Sequence, residues 1–209
     1  MSEAVTQLSL LACLRADARF LTRTETSRAG RWFTAALNRG FQALLLYRIS
    51  RALWRRGVPL LPLVLTRLVQ HLYAIDISPA AELGPGMVIV HGFGLVIGNQ
   101  TKIAGQCILF HGVTLGDRGS EWVGASIPDG HPVVGWGCMF GAGAKVLGPI
   151  SIGDNCVAGA NSVILKSVPA HSIVVGVPGR VVGQRPLMDE NLRRVSTVCP
   201  PDPSYQEDA

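Results

Sequence analysis

The feature that most constrains the fold of this chain is a repeat of six residues that begins at Leu83. A sustained period of six matches neither an α-helix nor an ordinary hairpin. It is typical of a β-solenoid in which three hexapeptides form one triangular coil, so we expect residues 18 apart to stack. The two runs of apolar or small residues are Leu83, Ile89, Leu95, Thr101, Cys107 and Val113, then Val134, Phe140, Val146, Ile152, Ala158 and Ile164.

Glycine and the break in the count support this interpretation. All but three of the 24 glycines lie between Gly84 and Gly183, where a chain that turns every few residues needs them. The spacing from Val113 to Val134 is 21, which is not a multiple of six. We therefore predict that residues 117–131 leave the coil as a loop, either as a functional insertion or as a tolerated surface insertion.

The residues before the repeat are predicted to form helices. Apolar residues recur at intervals of three and four from Phe41 to Leu53, and Gly57 and Pro59 end that helix. A second helix is predicted to end near Tyr73. The resulting division is a helical segment at 1–75, a solenoid domain at 76–183 and a polar, proline-rich tail at 184–209.

The helical segment carries an unusual charge distribution. Residues 26–75 contain eight arginines and neither Asp nor Glu. Such a block could make peripheral contact with an anionic membrane, or it could be a solvated helical face near the phosphates of a ligand. We expect no nucleic-acid partner.

Composition and cysteine usage indicate the broad class. Hydrophobic residues make up 48% of the chain and charged residues 16%, which favours a globular protein. The five cysteines form no Cys-x-x-Cys pair, so we interpret them as buried thiols in a reducing compartment. The chain opens without a basic leader, and its most apolar stretch, 58–72, is interrupted by two prolines and an arginine. The expected location is cytoplasmic.

A series of short motifs follows the hexapeptide frame. These motifs resemble those of the serine O-acetyltransferases, which belong to the hexapeptide-repeat acyltransferase superfamily, and the resemblance covers most of residues 38–183. They are Asp76-Ile-Ser-Pro-Ala-Ala, His91-Gly-Phe-Gly, Val113-Thr-Leu-Gly, His131-Pro, Gly141-Ala-Gly-Ala-Lys, Gly159-Ala-Asn-Ser-Val and Gly176-Val-Pro-Gly-Arg-Val-Val-Gly.

This resemblance implies a fold, a reaction and an assembly. The fold is mainly β, a left-handed parallel β-helix with an N-terminal α-helical segment. The reaction is transfer of an acetyl group from acetyl-CoA to the hydroxyl of a small molecule, first of all L-serine, as in cysteine biosynthesis, with no metal. The assembly is a homotrimer with acetyl-CoA in the groove between subunits. Family members that dock with the cysteine-forming sulfhydrylase end in isoleucine, whereas this chain ends in Ala209, so we expect no stable complex with that enzyme.

The resemblance also implies the site residues. His91 falls fifteen residues after Asp76, as the family's catalytic histidine follows its aspartate, so His91 is the predicted base and Asp76 its orienting partner. His131 is predicted to contact the acceptor, with Glu25 as a further acceptor contact from the helical segment. The predicted cofactor-binding residues are Gly116, Gly141, Ala142, Ala160, Lys166 and Arg180. His111 is expected to be a structural histidine held by hydrogen bonds.

Two departures from the family pattern keep other functions open. The family carries Asp before the catalytic histidine and Arg before the loop histidine, whereas this chain has Val90 and Gly130. Both family residues grip the charged groups of serine. The alternatives are a sugar hydroxyl of a polysaccharide or a serine-like precursor as acceptor. A zinc-dependent solenoid carbonic anhydrase and a non-catalytic scaffold are the other classes considered.

Overall fold

The computed structural model describes residues 9–25, 27–119 and 130–185 of the chain, so most of the predicted tail lies outside the described residues. In this part of the chain, four α-helices precede all of the β-strands. The helices are α1 Leu10–Leu21, α2 Arg28–Leu37, α3 Arg39–Arg55 and α4 Leu61–Tyr73. None of the helices in the described ranges is both long and apolar enough to cross a bilayer.

Local sequence accounts for the helix boundaries. Polar residues cap the first three helices by accepting hydrogen bonds from backbone N–H groups three residues on. The capping side chains are Ser9, Ser27 and Asn38. Helix α4 has Pro62 in its first turn, where the missing N–H costs nothing, and it is followed by Ala74 in a left-handed conformation. The predicted end of this helix near Tyr73 is confirmed.

The strands are short and follow one another around a triangular coil. They are β1 Asp76–Ile77, β2 Glu82–Leu83, β3 Val88–Val90, β4 Val96–Ile97, β5 Lys102–Gly105, β6 Ile108–Phe110, β7 Thr114–Gly116, β8 Val133–Trp136, β9 Met139–Phe140, β10 Lys145–Leu147, β11 Ser151–Ile152, β12 Val157–Ala158, β13 Val163–Ile164, β14 Ser172–Val175 and β15 Arg180–Gln184.

Three parallel sheets make the three faces of the coil. The first face contains β1, β4, β7, β10 and β13, and the second contains β2, β5, β8 and β11. The third face contains β3, β6, β9, β12 and β14, with β15 added antiparallel to β14. This topology, with the helices before it, confirms the predicted left-handed parallel β-helix with an N-terminal α-helical segment.

The first coil is longer than three hexapeptides. The strand register pairs Asp76 with Val96, an offset of twenty positions, whereas it pairs Val96 in turn with Thr114, an offset of eighteen. The two extra residues lie between β3 and β4, where residues 91–95 connect the strands; only residues 111–113 connect β6 to β7 in the next coil. The expectation of a constant stacking offset is therefore wrong for the first coil.

The insertion escaped the count of six because each hexapeptide buries two residues, two positions apart. Counting in sixes makes Leu95 the successor of Ile89, but the residue in the equivalent position of the next strand is Ile97, which pairs with Leu115 as Ile89 pairs with Leu109. Leu95 and Ile97 are both buried. After an insertion of two residues, every sixth residue is still a buried one, because it now falls on the other buried position of the hexapeptide. The repeat therefore looks unbroken in the sequence.

A second insertion lies between β7 and β8. Ile103 of β5 pairs with Val134 of β8, far beyond the position that a regular coil would give it. The predicted loop at 117–131 falls here, and residues 120–129 of it lie outside the described residues. Where the loop leaves the coil, the Arg118 guanidinium donates a hydrogen bond to the Leu147 carbonyl at 3.1 Å.

Polar side chains of helix α3 form hydrogen bonds and an ion pair with the first coil of the solenoid. The Tyr47 hydroxyl donates to the Ala81 carbonyl at 2.7 Å, and burial raises the pKa of Tyr47 to about 12. Arg51 donates to the Ala80 carbonyl at 2.8 Å and lies 3.4 Å from the Glu82 carboxylate. Part of the basic block therefore binds the first coil and is not a solvated face.

Arg48 makes the most buried of these contacts. It is fully packed beside Asp17 of α1, with Nε 3.0 Å from Oδ2, and it donates to the carbonyls of the first coil at Leu83 and Gly84. Asp17 also accepts a hydrogen bond from the Met87 N–H at 2.8 Å. Burial by itself would lower the pKa of Arg48, but the Asp17 carboxylate raises it further, so Arg48 stays charged.

Candidate active site

The predicted base, His91, lies at the corner where the third face turns into the first. It directly follows β3, its φ is 64°, and its side chain is exposed. A left-handed conformation is uncommon outside glycine, but the solenoid repeats it at other corners, as at Asn155 and Asn161, so it belongs to the tight turn. The ring centroid of His91 is 6.0 Å from that of His111, with an angle of 61° between the planes.

The two-residue insertion gives this corner its shape. Gly92 and Gly94 both have positive φ values, 67° and 70°. A Cβ on Gly92 would lie 2.5 Å from Cδ1 of Ile75, so both the backbone and the space require glycine. The His91 side chain is exposed at this longer corner.

Asp76 lies next to this corner on the first face. Its backbone N–H donates to the Leu95 carbonyl and the Gly94 N–H donates to the Ala74 carbonyl, both at 2.8 Å. Residues 74–76 therefore run beside residues 94–96, immediately after the His91 corner. In the described part of the chain the Asp76 and His91 side chains form no hydrogen bond with each other. Catalytic hydrogen bonds often tighten only when substrate binds, so the pairing of the two stays a prediction.

His111 differs from what was expected of it. It is exposed, its ring contacts His91 edge to face, and its side chain forms no hydrogen bond with another described residue. His111 follows β6, the strand stacked on β3, so it occupies the same corner one coil further on. A molecule bound at His91 would therefore also be within reach of His111.

His131 lies at a different corner, between the first and second faces. Its ring packs on Gly98, where a Cβ would approach Cδ2 at 2.4 Å and Nε2 at 2.5 Å. Its Nδ1 is buried without a hydrogen-bond partner in the described part of the chain. A buried polar atom without a partner calls for an explanation, and a bound ligand or a neighbouring subunit would supply one.

Sequence reasoning missed Gly98. The available signal was its place exactly one regular coil before Gly116, which marks the same corner of the solenoid. The role of Gly98 becomes clear only when the position of the His131 ring is known. The repeat cannot predict that position, because the loop before His131 is not a whole number of hexapeptides long.

The predicted base and the predicted acceptor contact therefore lie on opposite edges of the first face. His91 comes before β4, whereas Gly98, on which His131 packs, comes after it. Within one subunit, the fold does not bring His91 and His131 together at a single corner.

Glu25, the other predicted acceptor contact, lies in the turn between α1 and α2. Its carboxylate accepts a hydrogen bond from the Ser27 N–H at 3.1 Å, and its carbonyl accepts one from Arg31 at 3.1 Å. The side chain thus helps to begin α2. The predicted contact with an acceptor stays a prediction.

The small residues predicted to line the cofactor groove divide between the two corners. Gly141, Ala142 and Ala160 lie at or beside the His91 corner, two to three coils further along, and Gly116 ends β7 at the His131 corner. Among the described residues, a Cβ on Gly116 would meet only Thr114 Cγ2, at 3.9 Å, so the described part of the chain leaves room for a ligand beside Gly116. A Cβ on Gly141 would instead approach the Ala160 nitrogen at 2.8 Å, so the next coil itself requires that glycine.

The predicted phosphate contacts are exposed cations near the end of the solenoid. Lys166 follows β13 and Arg180 begins β15. Neither forms an ion pair within the described ranges. Sequence reasoning gave no role to Lys145, yet its ammonium donates a hydrogen bond to the Gly112 carbonyl, next to His111. The signal available was its place on β10 in register with Thr114 of β7.

The surroundings of His91 are apolar where the family pattern has charge. Val90 is half-buried, and Phe93, two residues after His91, is 69% exposed. Gly130 has a φ of 131°, and a Cβ there would lie 2.9 Å from Pro149 Cβ. Residues 9–25, 27–119 and 130–185 contain no group of three or more His, Cys, Asp or Glu placed to hold a metal ion.

Comparison with known proteins agrees with this architecture. The family model described as "Hexapeptide repeat of succinyl-transferase" matches residues 133–166. The chain is 42% identical over 143 residues to the serine acetyltransferase of Synechococcus elongatus and 43% identical over 145 residues to that of Mycobacterium tuberculosis. These matches cover 68% and 69% of this chain but 57% and 61% of the relatives. The chain spans about half the length of the curated relatives it matches.

Solved structures show the same fold. A serine acetyltransferase from Brucella abortus in complex with coenzyme A superposes with a TM-score of 0.74 at 34% identity, covering 83% of this chain and 68% of that one. A serine acetyltransferase from Neisseria gonorrhoeae in complex with serine gives 0.72 at 33% identity, covering 82% and 68%. By its repeat, its fold and these relatives, the chain belongs to the hexapeptide-repeat transferases as a serine acetyltransferase-like member.

Proposed function

We propose that the chain is an acetyl-CoA-dependent O-acetyltransferase, with L-serine as the first-choice acceptor and cysteine biosynthesis as the pathway. The observation that carries the proposal is the His91 corner. It combines an exposed histidine in a left-handed conformation, the Asp76 segment alongside it and the small residues Ala142 and Ala160 on the same edge. The relatives named as serine acetyltransferases, and the structures of such proteins with coenzyme A and with serine, support it.

His91 acts as general base in this proposal. It removes the proton of the acceptor hydroxyl as the oxygen attacks the thioester carbonyl carbon, and it returns the proton to the sulfur when the C–S bond breaks. Asp76 orients the imidazole and stabilises its protonated form. Acetyl-CoA supplies the activated acetyl group. Transfer is direct, since Cys107, Cys138 and Cys156 are buried inside the coil and offer no nucleophile at the corner.

The open side of Gly116 and the small side chains of Ala142 and Ala160 would admit the pantetheine arm, and the exposed Lys166 and Arg180 would meet the phosphates. These residues lie on both edges of the first face. A homotrimer, in which the His91 corner of one subunit meets the His131 corner of the next, would bring them together. A reducing, cytoplasmic location belongs to the same proposal, because the three cysteines inside the coil are thiols and form no disulfide.

A sugar hydroxyl is the second candidate acceptor. Serine is a zwitterion, and its recognition should require charge-assisted contacts near the reacting hydroxyl. The half-buried Val90 and the exposed Phe93 instead give the His91 corner an apolar rim. A neutral, ring-shaped acceptor fits such a rim better than a small zwitterion does.

The test is thiol release from acetyl-CoA with serine, homoserine and a panel of sugars as acceptors. In His91→Ala we expect kcat to fall by roughly 10²- to 10⁴-fold, with the affinity for CoA changed only a few-fold. His71→Ala is the matched control, since His71 is an exposed histidine on α4. Unchanged turnover in His91→Ala would refute the mechanism, and faster turnover with sugars than with serine would select the second candidate.

A further inference from the structure

Helix α4 has two apolar sides, and the fold uses only one of them. Pro62 and Val69 are buried against α3 and the start of the solenoid. On the other side, a stripe of four residues at helical spacing is exposed to solvent. This stripe, called the α4 stripe here, consists of Leu61, Val64, Leu68 and Leu72, which are 46%, 59%, 43% and 53% exposed.

Further exposed apolar residues lie near the start of α4, outside the stripe. Leu60 and Leu63 are exposed, and so is Trp54 near the end of α3. Single exposed apolar residues are common on protein surfaces, but four at helical spacing on one side of a helix indicate a surface that binds something. Exposed tryptophans are typical of a membrane–water interface.

Positive charge surrounds the same surface. Arg55, Arg56 and Arg67 are exposed, and no Asp or Glu occurs anywhere between residues 26 and 75. Arg48 and Arg51 are occupied by contacts with the solenoid. Within the described residues the three exposed arginines form no ion pair, so their charges can meet an anionic partner.

The positive charge around α4 distinguishes between two possible partners of the α4 stripe, a second copy of the helix and a lipid bilayer. A second copy of α4 packed on the stripe would bring two sets of these arginines together, with no carboxylate on the helix to offset their repulsion. An anionic bilayer offers both an apolar interior for the stripe and negative head groups for the arginines. Helix α4 is too short to span the bilayer, so it would lie in the interface.

We infer that the α4 stripe and its flanking arginines dock this protein on the surface of an anionic lipid bilayer. The helix lies parallel to the membrane plane with Leu61, Val64, Leu68 and Leu72 in the acyl boundary. Helix α4 leads into β1, so the membrane faces the first-coil end of the solenoid. In a homotrimer with parallel solenoids, three such helices would act at once and strengthen the binding.

Vesicle co-sedimentation of the full-length protein tests this inference. The probes are vesicles of pure phosphatidylcholine and vesicles in which about one lipid in three is phosphatidylglycerol, which gives the negative surface potential that basic residues require. We expect sedimentation with the anionic vesicles only, weakening as salt is raised. Arg55→Gln with Arg56→Gln should lower the apparent partition coefficient roughly tenfold or more, and Val64→Asp with Leu68→Asp should abolish binding.

The matched control is Val182→Asp, because Val182 is 62% exposed on β15, at the other end of the solenoid. It should bind the anionic vesicles like the wild type. All substituted positions are exposed, so circular dichroism should be unchanged. Absence of binding to anionic vesicles, or equal binding to both compositions, would overturn the inference. So would a fall in oligomer size in Val64→Asp/Leu68→Asp, measured by light scattering without lipid, since the stripe would then be an interface between copies.

Discussion

Three buried cysteines, Cys107, Cys138 and Cys156, form a column inside the solenoid, whereas Cys13 on α1 is only half-buried. Each of the three donates a hydrogen bond to a backbone carbonyl; the Cys138 and Cys156 thiols donate to Gly153 and Pro169 at 3.2 and 3.1 Å. Hydrogen bonding with Cys107 raises the pKa of Cys138 well above its ordinary value, and hydrogen bonding with Cys138, together with burial, raises that of Cys156. These thiols should therefore be unreactive in the native protein.

The raised pKa values of Cys138 and Cys156 give the protein an alkaline limit of stability. The folded pKa values are raised, so the stabilisation is complete below the ordinary thiol pKa of about 9. Above it, the unfolded chain loses these protons while the folded chain keeps them. The free energy of unfolding should then fall by up to about 1.4 kcal/mol per pH unit for each thiol. Urea unfolding at pH 7, 9 and 10 measures this. The slope should be shallower in Cys138→Ala, and an equal slope in that variant would contradict the assignment.

The histidines show what single residues reveal in a sequence and what they do not. The spacing of Asp76 and His91 was enough to nominate a base, because a motif preserves distances along the chain. The contact between His91 and His111 was not visible, since it depends on which residues stack. The two-residue insertion lengthens that offset from eighteen positions to twenty, and nothing in the count of six showed it.

At the scale of elements, α3 holds the helical segment on the solenoid through Arg48 and Asp17. Removing one partner leaves the other charge buried and unpaired. We expect Arg48→Met or Asp17→Ala to lower the free energy of unfolding by about 3–5 kcal/mol. Urea denaturation followed by circular dichroism measures the loss. Asp17→Leu combined with Arg48→Met should cost less than the sum of the single changes, and Arg15→Met, at an exposed position of α1, should stay within about 0.5 kcal/mol of the wild type.

Helix α3 also shows the limit of periodicity arguments. Its existence and its end before Gly57 were predicted, because apolar spacing and helix breakers are local signals. Its buried side was not: Leu45, Ile49 and Leu53 are only half-buried, whereas Arg48 and Ser50 are buried. Arg48 can be buried because the Asp17 carboxylate and backbone carbonyls of the first coil accept its hydrogen bonds. Those acceptors lie 31 to 36 residues away along the chain, so local periodicity does not reveal them.

At the scale of the whole molecule, the predicted site residues lie at two corners of one subunit. The repeat predicted a solenoid because stacking of hexapeptides is a periodic property. The position of the predicted site residues at two different corners was not predicted. It depends on two insertions that interrupt the repeat, the first at residues 91–95 and the second after Gly116. The proposed homotrimer would bring the two corners together, and this proposal leads to a quantitative prediction.

Complementation between inactive variants tests a site shared by neighbouring subunits. His91→Ala and His131→Ala, carrying different affinity tags, are co-expressed and the mixed trimers are purified through both tags. In any mixed trimer, one of the three interfaces pairs an intact His91 with an intact His131 across the boundary. If each variant alone is inactive, mixed trimers should recover about one third of the wild-type turnover per trimer. A site confined to one subunit would leave mixed trimers inactive, since neither variant then carries both histidines.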